Sequence, residues 1–172
     1  MKSKLYHWIL LVIATVSVSS VVLAQSSSYA GQQTRKIKSL SESDTEGLLE
    51  GRGMGLAKAA ELNGYPGPMH VLELSSELKL TASQTQDVQA SFDRMKASAQ
   101  RLGAEIIKQE AALDAAFAER KINEAALGKA TASIGKLQAE LRATHLKAHL
   151  ETTEILTKEQ VALYVKLRGY GQ

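Results

Sequence analysis

An all-α chain organised around one long antiparallel helical hairpin is the fold the sequence predicts, on three observations. The residues are 44% hydrophobic but only 5% aromatic, with two prolines in 172 residues, a composition of Ala-rich helix and not of a β-sandwich or barrel. Apolar residues recur at steps of three and four along two long stretches, the period of amphipathic helices. A Leu-Thr-x-x-Gln sequence with the spacing of a helix-capping box occurs twice, at the two outer ends of those stretches.

The first element in order is a secretory signal over residues 1–24. Lys2 and Lys4 make a positive start, residues 5–14 are mostly apolar, and Val22-Leu23-Ala24 ends on a small residue suited to cleavage. Ser28-Tyr29-Ala30 is a second candidate cleavage site. An uncleaved anchor is the alternative, since residues 5–24 would reach ~30 Å at about 1.5 Å per residue, although Thr15, Ser17, Ser19 and Ser20 make a poor span. Export of a chain without cysteine suits a bacterial periplasm.

Residues 25–55, rich in Ser, Gln and Gly without sustained period, read as a flexible tether. Residues 56–67 follow as a short helix and a break, in which Asn63-Gly64-Tyr65-Pro66-Gly67-Pro68 places both prolines and two glycines together. The hairpin domain proper is expected over residues 68–170. A short helix opens it at Pro68, whose ring suits a first helical turn, and carries Met69, Val71, Leu72, Leu74 and Leu78.

In Leu80-Thr81-Ala82-Ser83-Gln84, Thr81 and Gln84 can cap each other's backbone N–H, and Val88, Phe92, Met95, Ala99, Leu102, Ile106, Leu113 and Phe117 then mark one face of a helix roughly 50 Å long. Glu119-Arg120-Lys121-Ile122-Asn123 is a charged turn ending in a candidate cap. Leu127, Ile134, Leu137, Leu141, His145, Ala148, Thr152 and Ile155 form the returning stripe, interrupted by Gly128 and Gly135. The second capping box, Leu156-Thr157-Lys158-Glu159-Gln160, starts a last short helix in which Val161 can staple against Leu156. Gly169 suits its left-handed end.

Two copies of Leu-Thr-x-x-Gln around a helical hairpin in an exported chain resemble the Spy/CpxP family of periplasmic chaperones, on Leu80, Thr81, Gln84, Leu156, Thr157 and Gln160. The resemblance spans about residues 68–168. It implies a cradle-shaped homodimer that binds unfolded or misfolded clients without ATP in a stress response, an envelope-stress sensor as a further partner, and zinc, nickel, cobalt or copper binding in some branches. By themselves the motifs are structural, since capping accounts for them.

Several residues stand out as candidates for function. Phe92, Met95, Leu146 and Leu150 are large or adaptable apolar groups of the kind a promiscuous client surface uses, although each also suits a core. His145 and His149 stand four apart, which puts two imidazoles on one helix face, a two-ligand arrangement for a divalent transition metal. His70 and Glu73 on the first short helix could complete that site if it folds against the hairpin. The alternative is that both hairpin histidines pack.

The classes excluded are as informative. Removing residues 1–24 takes Lys2 and Lys4, leaving 19 basic residues (21 − 2) against 18 acidic, so the basic balance is slight. The charges are interleaved rather than striped, which argues against nucleic acid. The absence of cysteine removes disulfides and thiolate sites. No Gly-x-Ser-x-Gly, phosphate loop or His-Glu-x-x-His is present, and no enzyme is expected. The reading is an ATP-independent periplasmic chaperone, with a periplasmic heavy-metal-binding or metal-sensing protein as the alternative.

Overall fold

A computed structural model describes residues 27–170, and these are all helix, turn and loop with no strand. The signal sequence expected over residues 1–24 lies outside the described residues. No described helix is long and apolar enough to cross a membrane. The chain divides into Met1–Gly31 and Gln32–Gln172. The described part of the first unit is a turn closed by Ala30 N–H donating to the Ser27 carbonyl at 2.9 Å.

The second unit contains a 3-10 turn (Gln32–Thr34) and helices α1 (Glu42–Glu50), α2 (Lys58–Glu61), α3 (Pro68–Glu73), α4 (Ala82–Ala118), α5 (Glu124–Ile155) and α6 (Lys158–Leu167). Helices α4 and α5, of 37 and 32 residues, form the predicted antiparallel hairpin. Arg120 takes the left-handed conformation at the hairpin turn, and Asn123 Oδ1 accepts the Ala126 N–H at 2.9 Å. The predicted caps form as well: Thr81 with Gln84, and Thr157 with Gln160, each close a full capping box.

The expected tether is a correction. Ile37 is buried, Lys38 Nζ reaches Asp114 at 2.9 Å, and Ser39 Oγ donates to Glu110 at 2.7 Å, so the segment is strapped along α4. Helix α1 follows, started by a third capping box in which Ser41 and Asp44 exchange side-chain and backbone bonds at 3.0 Å. The segment has too few apolar residues to show a period, and it docks through Leu48, with Leu40 packed beside it. Leu48 sits in the core with Ala99, Leu102, Ile106 and Leu141. Gly103 lets the α1 backbone lie directly on α4, for a Cβ there would meet the Leu48 carbonyl.

A second core gathers Val71, Leu78, Val88, Leu156 and Tyr164 at the end of the hairpin where both motifs lie. There the two glutamines meet. Gln84 Nε2 donates to Gln160 Oε1 at 2.8 Å, and Gln160 Nε2 donates back to Gln84 Oε1 at 3.1 Å. Each amide also donates to a backbone carbonyl, Gln84 to Ile155 at 3.0 Å and Gln160 to Leu78 at 3.2 Å. The motifs thus cap their own helices and clasp each other.

Toward the hairpin turn the stripes lose their cover. Phe117, expected on the packed face, is 53% exposed, Leu127 is exposed, and the Cβ positions of Gly128 and Gly135 face open space. The reason is geometric: α1 packs on α4 through Leu48 at residues 99–106 and α3 packs beside Val88, both short of residues 117–130.

Candidate functional site

The segment from α1 to α3 folds back over the hairpin and leaves an open cavity of about 600 Å³. Its wall is drawn from the 50–58 loop, Glu61 of α2, the start of α3, Phe92, Met95, Lys96 and Gln100 of α4, and His145 and His149 of α5. The Pro/Gly break shapes this wall. Pro66 is buried, Pro68 starts α3, and Gly67 passes so close to α5 that a Cβ would lie 2.9 and 3.1 Å from the His149 ring and 3.4 Å from Glu61 Oε2.

His149 is oriented by the backbone. Its Nδ1 lies 2.8 Å from the Tyr65 carbonyl oxygen, which can only accept, so Nδ1 carries the hydrogen and Nε2 the lone pair. A backbone carbonyl fixing the far nitrogen is the usual second support of a metal-binding imidazole. Glu61 Oε2 lies 3.7 Å from the same Nδ1, too far for a hydrogen bond.

Glu61 is held from its other oxygen. Tyr164 O–H donates to Oε1 at 2.7 Å and Arg168 Nε at 3.3 Å. Burial first, and the Glu61 carboxylate second, push the Tyr164 phenol well above its ordinary value, so it remains a donor. Two buried side-chain atoms have no hydrogen-bond partner among the described residues: Glu61 Oε2 and His145 Nε2. Both residues belong to the cavity wall.

His145 is 5% exposed. Burial, and secondarily the neighbouring His149, hold its imidazole below the ordinary 6.5. Because the folded-state value is depressed, its contribution to stability is complete above about pH 6.5 and is lost as pH falls through the folded-state value. Thermal denaturation should therefore show a steeper loss between pH 7 and pH 5 for the wild-type protein than for His145→Gln. Parallel curves for the two would contradict a neutral buried imidazole.

The expected ligand set His70, Glu73, His145 and His149 is only partly brought together. His70, His145 and His149 share the cavity wall, but Glu73 is not part of it and pairs with His70 Nδ1 at 2.8 Å on the surface of α3. The carboxylates that line the cavity are Glu50, paired with Arg52 at 3.2 Å, and Glu61, which sequence reasoning missed because α2 is one turn long and carries no period. Among the described residues no three His, Asp or Glu side chains converge closely enough to hold a metal by themselves. Of the expected client-binding residues, Phe92 and Met95 line this cavity, Leu146 is half-buried and Leu150 is 51% exposed.

A family model described as heavy-metal resistance matches residues 55–162. The chain belongs to the heavy-metal resistance family. No curated protein and no solved structure gives a significant match. The matched span agrees with the resemblance carried by the two Leu-Thr-x-x-Gln motifs, both of which it contains, together with α2 to α5 and Glu61, His145 and His149. Helix α1 precedes it, so the strap and its capping box are outside the part of the chain that defines the family.

The donors present suit a metal in kind. Two unpartnered buried acceptors and an oriented imidazole stand on one wall, with their lone pairs not otherwise used. Glu61, His145 and His149 would serve an ion, as cargo or signal rather than as a catalytic centre, only with further donors beside them, since no three of these groups converge.

Proposed function

We propose that this chain is an exported, non-catalytic resistance protein of the bacterial periplasm that captures a heavy-metal ion in the cavity between the 50–70 segment and the hairpin. The observation that carries the reading is that two residues of the cavity wall, His145 and Glu61, each keep a buried side-chain atom, Nε2 and Oε2, without a hydrogen-bond partner among the described residues. Leaving such an atom unsatisfied costs about 1–3 kcal/mol, which an ion bound at either residue would offset. Membership of the heavy-metal resistance family supports it.

Metal binding to the folded state alone should raise the melting temperature, since ligand at 100 times its Kd adds about 2.7 kcal/mol. Thermal shift and calorimetry with zinc, nickel, cobalt, copper and silver salts test this. At least one metal should stabilise the wild-type protein, and His145→Gln should lose most of that stabilisation. A protein that ignores all five would overturn the reading.

A client-binding role in a cradle-shaped homodimer is the second reading. It is favoured by the uncovered apolar groups at the hairpin turn and on α5, Phe117, Leu127 and Leu150. A second subunit or an unfolded client would cover them. Suppression of aggregation by the metal-free protein, with sedimentation at twice the chain mass, is the result this reading expects.

A further inference from the structure

The methionines carry one step more, which rests on the metal-binding reading above. The chain has four, and the three beyond Met1, namely Met54, Met69 and Met95, all line the one cavity that contains His145 and His149. They come from three separate places, the loop after α1, the start of α3 and the middle of α4, so no local pattern brings them together. Methionine is usually a filler of irregular cores, yet Met54 and Met69 are 47% and 46% exposed.

Met54 is also held in an unfavourable backbone state. It stands between Gly53 and Gly55 at φ 45°, a left-handed conformation that a glycine would adopt without strain. Its sulfur rests over Gly47 of α1, where a Cβ would come within 2.7 Å, so the missing side chain of Gly47 makes room for the thioether. Strain retained at a side chain that a glycine would relieve points to a use for that side chain.

The donor count decides the class of ion. No three nitrogen or carboxylate donors converge among the described residues, which leaves an incomplete set for a borderline divalent ion. The chain has no cysteine, so thioethers are the softest donors it can offer, and these select a soft ion such as Cu(I). We propose that the cavity is a site for a soft monovalent d10 cation, Cu(I) or Ag(I), bound by the thioethers of Met54, Met69 and Met95 together with the His145 imidazole, whose Nδ1 lies 3.9 Å from the Cβ position of the cavity-lining Gly53. An apolar peptide would use the same methionines as plain surface, but it would leave the imidazole without a partner.

The test uses the full chain, silver nitrate as a probe without redox chemistry, Cu(I) kept reduced by ascorbate, and zinc chloride as the divalent control. The variant is Met54→Leu/Met69→Leu/Met95→Leu, which keeps volume and apolar character. Its circular dichroism and metal-free melting should match the wild type. Silver affinity should fall on the order of 100-fold or more, since even substitutions outside the ligand shell cost up to that, while any zinc response is unchanged. In the wild type, silver should move the 13C-methyl NMR signals of all three cavity methionines. If Cu(I) fails where silver succeeds, the site is for silver alone. If the triple variant binds silver as tightly as the wild type, or the methyl signals stay put, the inference is wrong. If zinc binds and silver does not, the inference falls while the metal-binding function stands. If no metal binds, both fall.

Discussion

Gly103→Ala should detach α1 from the hairpin. The added Cβ would meet the Leu48 carbonyl oxygen, with the carbonyl carbon at 2.7 Å and Cα at 3.0 Å, all of them backbone that no rotamer change can move aside. On an isolated helix the same change would stabilise by about 1 kcal/mol, because glycine is the poorer helix former. Here overpacking between two helical backbones should reverse the sign, with a net loss of roughly 2–4 kcal/mol as Leu48 leaves the core it shares with Ala99, Leu102, Ile106 and Leu141. Urea denaturation measures the loss, and hydrogen exchange should locate it in residues 42–50. Because the loop after α1 carries Met54 and walls the cavity, metal affinity should fall with it. A variant as stable as the wild type would mean that α1 does not lie on α4 in this way.

The glutamine clasp should show the strongest coupling in the molecule. Gln84 and Gln160 each accept a backbone N–H at their own cap, from Thr81 at 3.1 Å and from Thr157 at 2.9 Å, besides donating to a carbonyl and to each other. Gln84→Ala removes one member of a part-buried network and leaves the other amide half satisfied, so each single change should cost about 2–3 kcal/mol. The double variant should cost at least ~1 kcal/mol less than the sum of the singles, the signature of residues that share partners. Additivity within about 0.5 kcal/mol would show that each motif acts only on its own helix.

Both results bear on how the cavity is held. The clasp fixes α6 against the hairpin, and α6 carries Tyr164, whose hydroxyl holds Glu61 Oε1 and leaves Oε2 without a partner. The strap and Leu48 fix the opposite wall. The Leu-Thr-x-x-Gln motifs are thus architectural residues that set the position of a carboxylate they do not touch.

The sequence by itself determined the helical class, the hairpin, its turn at 119–123 and the caps at Thr81, Asn123 and Thr157, because capping and amphipathic period are local properties read within one or two turns. It also determined that His145 and His149 share a face, since four residues make about one turn. Within the expected tether it missed the strap at 37–39 and α1, although Ser41 and Asp44 carry the spacing of a capping box, because a helix whose buried residues are one leucine and one glycine has no stripe to detect.

The site, in contrast, is set by long-range packing. Glu61 replaces Glu73 as a carboxylate at the cavity, because the Pro/Gly break turns α2 toward α5 while Glu73 pairs outward with His70. Met54, Met69 and Met95 line one cavity because three segments fold over one another, and the two glutamines clasp because the outer ends of the hairpin are brought side by side. These juxtapositions join residues 15 positions apart, as Met54 and Met69, to 88 positions apart, as Glu61 and His149, fixed by packing and by hydrogen bonds that no local pattern encodes.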